Sequence, residues 1–385
     1  MKKRITYFDL AKGLGIILVV LGHMENISTE LRIWISSFHM PLFFIVSGML
    51  MAAKGEVSVE GASSDLAKLA IKKAKGILIP YFWFSIIYIP IDVMNLFIEN
   101  VDKHTFVQNI LDSATFSGVS VMWFLPALFI AEVVALIVIV KVGQLVKTVN
   151  NKDVIKYGVV LVSALVLSLL TFGIWQKIRP VYEAGASSYF IATSLGFVRA
   201  ILRGICMSIH VVTGFICFKL IAFIEDRYTE KNQKENSNIR GLFLAAGVIF
   251  FVLNMGLCLK NNAVDNHFLT LNNLPLYYLC AFLGSMAIIL ICKGLDTIPF
   301  IEFLGKNSLI IMATHLQCYL LYAGILIAIA IDAHVTRAKS YIYMFNSVLF
   351  TMLFEVVVII VINKFFPFIT GKKSVKESFV FLNKR

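Results

Sequence analysis

The chain has 385 residues, of which 59% are apolar and only 15% charged, with a mean hydropathy of +0.83. Soluble globular domains run near 45–50% apolar and about 25% charged. The composition therefore excludes a water-soluble domain, a disordered chain, a disulfide-stapled secreted scaffold and a nucleic-acid-binding domain, and the net charge of +12 becomes a question of where the lysines and arginines lie relative to a bilayer.

Ten apolar runs follow one another at roughly 8–24, 35–53, 76–98, 121–140, 154–173, 204–224, 242–259, 274–292, 308–331 and 341–363. Most reach the length of about 20 residues that a spanning helix needs. The first is short and polar, and follows Met1-Lys2-Lys3-Arg4. No small-residue cleavage site follows it, so it reads as a retained helix. With ten spans, the segments on the N-terminal side of the membrane hold 25 Lys and Arg, and the opposite segments hold 9. By the positive-inside rule both termini then lie in the cytosol. The expectation is an all-α polytopic membrane protein of about ten transmembrane helices. It forms one membrane domain over 1–385, with no soluble domain and a candidate boundary between helix groups at the polar stretch 225–240. The six cysteines lie in or beside apolar runs with no CxxC spacing, and read as small buried hydrophobes.

Ionisable residues inside a membrane span are costly and are candidates for function. The first run carries Asp9, Lys12 and His23. Lys12 and His23 are eleven residues apart, about three turns, so they share a face and stand about 16 Å apart along the axis. His39 lies near the outer end of the second run, at the depth of His23. A neutral imidazole can take a proton from an alcohol near pH 7. Lys68, Lys72, Lys73 and Lys75 gather on the cytosolic side, either as a topology signal or as a cradle for phosphates. Trp123-Phe124-Leu125-Pro126 opens the fourth run at the outer interface, where an aromatic belt or a sugar-stacking platform would sit. Arg199 and Arg203 stand before the sixth run, against the positive-inside trend. They read as binding an anionic or sugar acceptor, or as pairing with Glu183. The ninth run opens Gly305-Lys306-Asn307-Ser308, a helix start that could bind anionic groups, and reaches His315. Glu132, His210 and Glu355 have no partner evident from sequence. The histidines lack ligand spacing with one another or with a carboxylate, so no metal is expected.

Several of these segments resemble acyltransferase family 3, integral membrane acyltransferases that include polysaccharide O-acetylases and fucose 4-O-acetylase-like proteins. The resemblance covers nearly the whole chain. It is carried by Tyr7-Phe8-Asp9-Leu10-Ala11-Lys12-Gly13 leading to His23, by Phe38-His39-Met40-Pro41-Leu42-Phe43-Phe44-Ile45 with Ser47-Gly48, by Trp123-Phe124-Leu125, and by Phe303-Leu304-Gly305-Lys306-Asn307-Ser308 with His315. The family's basic residue, ten intervening positions and histidine correspond to Lys12 and His23. Its paired arginines before the third helix correspond to Lys72 and Lys75, where lysine keeps the charge but not the bidentate fork.

The resemblance implies transfer of an acyl group, usually acetyl, from cytosolic acyl-CoA to a sugar hydroxyl at the outer face of the plasma membrane. The acceptor would be a surface polysaccharide or a lipid-linked sugar. On that expectation His23 is the general base, with His39 orienting it or sharing the proton. Lys12, Lys72, Lys73 and Lys75 hold the donor phosphates. Asn307, Ser308 and His315 position the thioester or stabilise the oxyanion. Arg199, Arg203 and Trp123 shape the acceptor entrance, with Asp9 and Glu132 in support. The competing reading is a transporter or flippase for a small solute or lipid-linked sugar. An inverted repeat would mark it, and the sequence shows none.

Overall fold

The computed structural model describes residues 4–25, 27–58, 65–98, 101–147, 153–232, 237–295, 297–331 and 341–371. Several segments behind the loop-charge count, including residues 1–3, 59–64, 233–236, 332–340 and 372–385, lie outside the described residues. Within them the protein is helix and loop, with a single isolated antiparallel bridge between Asp265 and Thr270.

In chain order the helices are α1 (Thr6–Gly22), α2 (Thr29–Lys54), α3 (Leu66–Ile98) and α4 (Lys103–Ala114). A 3-10 turn, Ser120–Trp123, leads into α5 (Phe124–Ile137), which continues through a π turn at Val138–Val142 into α6 (Gly143–Lys147). Then come α7 (Asp153–Ala184), α8 (Tyr189–Asn232), α9 (Ser237–Cys258), α10 (Leu274–Gly294), α11 (Pro299–Lys306), α12 (Ser308–Thr314), α13 (Leu320–Ile331) and α14 (Tyr341–Phe365). Among the described residues eight helices are long and apolar enough to cross a membrane: α2, α3, the rod from Ser120 to Lys147, α7, α8, α9, α10 and α14. The protein is an all-α polytopic membrane protein.

Helix α1 is short, as its sequence indicates, with 17 residues against the eight long helices. Two elements differ from the sequence expectation. The ninth run is not one helix from 308 to 331. It is broken between Thr314 and Leu320, where Tyr319 adopts φ +58°. Hydropathy averages over such a break, because its residues remain apolar. Arg199 and Arg203 do not precede the sixth helix but lie inside α8, a single helix of 44 residues.

Two compact units divide the chain. One comprises Met1–Phe43, Glu235–Asp265 and Thr270–Arg385, and the other Phe44–Lys234 and Asn266–Leu269. The first unit therefore joins α1 to the C-terminal helices. Its central crossing is α1 on α11. A Cβ at Gly13 would run into the Ile301 carbonyl oxygen, and one at Gly305 into the Asp9 carbonyl oxygen. The glycines let the two backbones touch, as small residues do where membrane helices pack closely. Gly305 is thus a packing residue. In the second unit Gly48 and Gly214 do the same for α2 and α8, each facing a carbonyl of the other helix.

Gly13→Ala and Gly305→Ala should each destabilise the protein by more than about 1 kcal/mol, the low end of overpacking costs. Gly173→Ala, where an added Cβ meets nothing within 4 Å, should leave the melting temperature unchanged. Thermal unfolding in detergent measures all three.

Candidate active site

Histidines at the end of α1 and at the helix break come together in the first unit. The rings of His23 and His315 lie edge to face, with centroids 5.1 Å apart. His39 is within electrostatic range of His23. One local device orients all three rings. Nδ1 of His23 lies 2.8 Å from the Val19 carbonyl oxygen, Nδ1 of His39 lies 2.8 Å from that of Ile35, and Nδ1 of His315 lies 2.8 Å from that of Ile311. Each carbonyl is four residues back on the same helix turn. A carbonyl only accepts, so in the neutral ring Nδ1 carries the proton and Nε2 keeps the lone pair. Three imidazoles thus present a basic Nε2. His315 is fully buried, and its Nε2 has no hydrogen-bond partner among the described residues.

Neighbouring residues hold this arrangement. Beyond the end of α1, the Arg32 guanidinium donates to the carbonyls of Gly22 (3.3 Å), Met24 (2.9 Å) and Glu25 (3.2 Å), which fixes the turn that carries His23. Thr314, just before His315, donates to the buried carboxylate of Glu355 on α14, at 3.0 and 2.8 Å to its two oxygens. Leu321 N–H donates to the His315 carbonyl at 2.8 Å across the break. Glu355 therefore has a role that sequence left open: it ties the end of α12 to α14. A cavity of about 110 Å³ adjoins His23, lined also by Met24, Glu25, Leu321, Tyr322, Ile325 and Tyr343.

At the other end of α1, Asp9 accepts from Arg4 at 2.5 Å and from Lys12 at 2.9 Å. One carboxylate thus holds two cations, and Lys306 is within electrostatic range of Lys12. Asn307 is turned inward. Its Nδ2 donates to the Phe303 carbonyl at 2.9 Å, and its Oδ1 accepts from Asn363 at 2.9 Å. With the amide engaged on both sides, Asn307 sits at the joint between α11 and α12. Ser308 begins α12, which has only seven residues.

The second unit holds the remaining candidates. Lys73 lies between two carboxylates, Glu56 at 2.8 Å and Glu132 at 3.0 Å, and Ser47 donates to Glu132. Lys72 pairs with Glu56 at 3.1 Å with its side chain 64% exposed, and Lys75 is exposed. Glu132 is thereby the partner of Lys73, a pairing between helices that no sequence spacing signals. Burial raises the Glu56 carboxyl, but the Lys73 and Lys72 ammonium groups outweigh it and hold it below the ordinary 4.5.

Arg203 is fully buried. It donates to the carbonyls of His267 (3.1 Å), Ser117 (3.2 Å) and Trp123 (3.3 Å), and lies over the Trp123 ring at 4.9 Å. Trp123 stacks on His267, with centroids 5.4 Å apart and planes 6° from parallel. Burial, and then the charges of Arg203 and Arg199, push the His267 imidazole well below 6.5, so it is neutral. Arg199 sits over Tyr182 at 4.8 Å and Phe268 at 4.6 Å. Glu183 pairs instead with Arg179 at 2.6 Å. Arg203 thus clamps loops to α8, whereas Arg199 is buried against rings with Nε and Nη1 lacking a hydrogen-bond partner among the described residues. Sequence reasoning missed Arg32, Glu56 and His267, which lie in loops or at a helix start outside any motif. No group of three or more His, Cys, Asp or Glu residues suited to a metal occurs among the described residues.

The depressed Glu56 pKa has a consequence for stability. A carboxylate whose folded pKa lies below its unfolded value stabilises the protein above that unfolded value, and the contribution is lost as pH falls through the folded pKa. Wild type should therefore lose more thermal stability than Glu56→Gln as pH drops below about 4.5. Melting curves from pH 7 to pH 3 compare them, and parallel loss would remove the Glu56 ion pairs from the account. Lys73→Met, which leaves the buried Glu132 carboxylate without its cation, should cost about 3–5 kcal/mol.

No curated protein and no solved structure matches the chain. A family model described as an acyltransferase domain, Acyl_transf_3, matches residues 5–366, which takes in the elements bearing His23, His39 and His315, the lysines at the start of α3 and the arginines of α8. The match spans nearly the whole chain, and the protein belongs to this family of membrane acyltransferases.

Proposed function

We propose that the protein is an O-acyltransferase that moves an acyl group, acetyl in the first instance, from cytosolic acyl-CoA to a hydroxyl of a cell-surface carbohydrate at the plasma membrane. The observation that carries this reading is the meeting of His23 and His315 at the end of the helix whose other end bears Lys12. A donor with phosphates needs cations on the cytosolic side, and an alcohol acceptor needs a base.

In the reaction, His23 Nε2 takes the proton of the acceptor hydroxyl. The oxygen attacks the thioester carbonyl, a C–O bond forms, and the C–S bond breaks. The departing thiolate takes up the proton from the imidazolium, so the base is restored and the products are the ester and free thiol. His315, with its buried Nε2, shares the proton with His23 between these steps. His39 orients the acceptor. Lys12 binds a donor phosphate. Lys73 and Glu132 act as framework because their charges are mutually engaged. Asn307 and Ser308 shape the joint below His315. Arg203 and Trp123 hold the loops of their own unit.

The test uses purified protein in lipid with radiolabelled acetyl-CoA and a crude surface-glycan fraction. Label transfer should fall by at least about 100-fold in His23→Ala, the low end for losing a general base. His315→Gln and His39→Ala should lower kcat by smaller factors with the KM for donor unchanged. Wild-type transfer by His23→Ala would overturn the assignment of the base.

A further inference from the structure

The cavity beside His23 combines chemistry from distant parts of the sequence. The turn after α1 contributes His23, Met24 and Glu25; the first turns of α13 contribute Leu321, Tyr322 and Ile325; the start of α14 contributes Tyr343. The break after α12 makes this wall. It sets His315 against His23, and the Leu321 N–H bond to the His315 carbonyl couples the first turn of α13 to the same point. Tyr343 is 7% exposed and Tyr322 is 44% exposed, so one ring is set in the protein and the other stands at the surface.

The lining is of two kinds. Met24, Leu321 and Ile325 are its apolar residues, Tyr322 and Tyr343 carry both a ring and a hydroxyl, and His23 and Glu25 are its polar residues. No lysine or arginine lines it among the described residues. The Arg32 guanidinium is held by the carbonyls of Gly22, Met24 and Glu25. At about 110 Å³ the cavity is well below the ~300–1,000 Å³ of a drug-sized site, so it takes one ring of a larger molecule. A ring with an apolar C–H face and a rim of hydroxyls matches such a lining, since aromatic side chains offer area and a polar tip together. A carboxylate accepts from hydroxyls and repels another carboxylate.

We propose that this cavity is an acceptor subsite for one uncharged polyhydroxylated ring, with Tyr322 and Tyr343 against its apolar face and Glu25 accepting from its hydroxyls and disfavouring acidic rings. The proposal rests on the reading of His23 as the base, which fixes where the reacting hydroxyl must lie.

Binding tests it without reference to turnover. Saturation-transfer NMR is recorded on the full chain in lipid nanodiscs with two probes, methyl glucoside and methyl glucuronide. Wild type should bind the neutral probe, and the glucuronide several-fold more weakly. Tyr322→Ala should weaken the neutral probe at least about fivefold. Tyr343→Phe, which keeps the ring and folds as wild type, should retain most of the binding. Glu25→Gln should narrow the gap between the probes. Equal binding of both probes, or neutral-probe binding indifferent to Tyr322→Ala, overturns the subsite, as does failure of both to bind. The two readings fail separately. Transfer that needs His23 with no glycoside binding sinks the subsite and leaves the base. Tyr322-dependent binding with His23-independent transfer sinks the base and leaves a sugar site.

Discussion

Hydrocarbon offers no water to satisfy a buried polar group, so each such group brought into the helices must find its partner inside the protein. Most of the side-chain geometry follows from this. Lys73 takes Glu56 and Glu132; Glu355 takes Thr314; Asn307 takes Asn363; Arg203 takes three carbonyls. These contacts join segments that sequence keeps apart, and they act as framework because each charge or amide is engaged by a partner. The imidazoles satisfy the rule differently. Each secures one nitrogen on its own helix and leaves the other to face outward from that bond. A residue that is half satisfied by its own turn is positioned and still reactive, which is what a base in an apolar site requires.

Helix α1 depends on close packing for the same purpose. It is too short to be held by length alone, and it carries Asp9, Lys12 and His23. The contact through Gly13 and Gly305 brings its backbone against α11, fixing the start of α1 next to the joint that leads into α12. The break after α12 then returns His315 to the end of α1. A continuous ninth helix would carry residues 315–319 onward along one axis. The broken one turns there, and tolerates the turn because the freed backbone groups find partners such as Leu321 N–H on the His315 carbonyl.

Much of this was legible in the chain. The all-helical membrane class follows from composition, and the alignment of Lys12 with His23 follows from helical period. The partner of Lys73 was not legible, because Glu132 is on another helix and no spacing rule spans that distance. The arginines of α8 were misplaced for a related reason. Hydropathy stops a span at a charge, whereas a guanidinium lying over Tyr182 and Phe268 or bonded to three carbonyls can be carried inside a helix. His267 was invisible, since its stacking on Trp123 arises only once the loop is folded back. The break at His315 was hidden by its own apolar sequence.

The charges at the start of α1 bear on the direction of the chemistry. Asp9 neutralises one of the two cations that it binds, so Arg4, Asp9 and Lys12 together keep a single positive charge, with Lys306 in range. For the donor proposed above, this is a positive field with no isolated one-to-one ion pair to break. The other end of the helix carries neutral imidazoles and the Glu25 carboxylate. About 16 Å of apolar helix separates the two ends. Under the proposed function, the charge at the first end favours a donor phosphate and its absence at the second favours an uncharged hydroxyl.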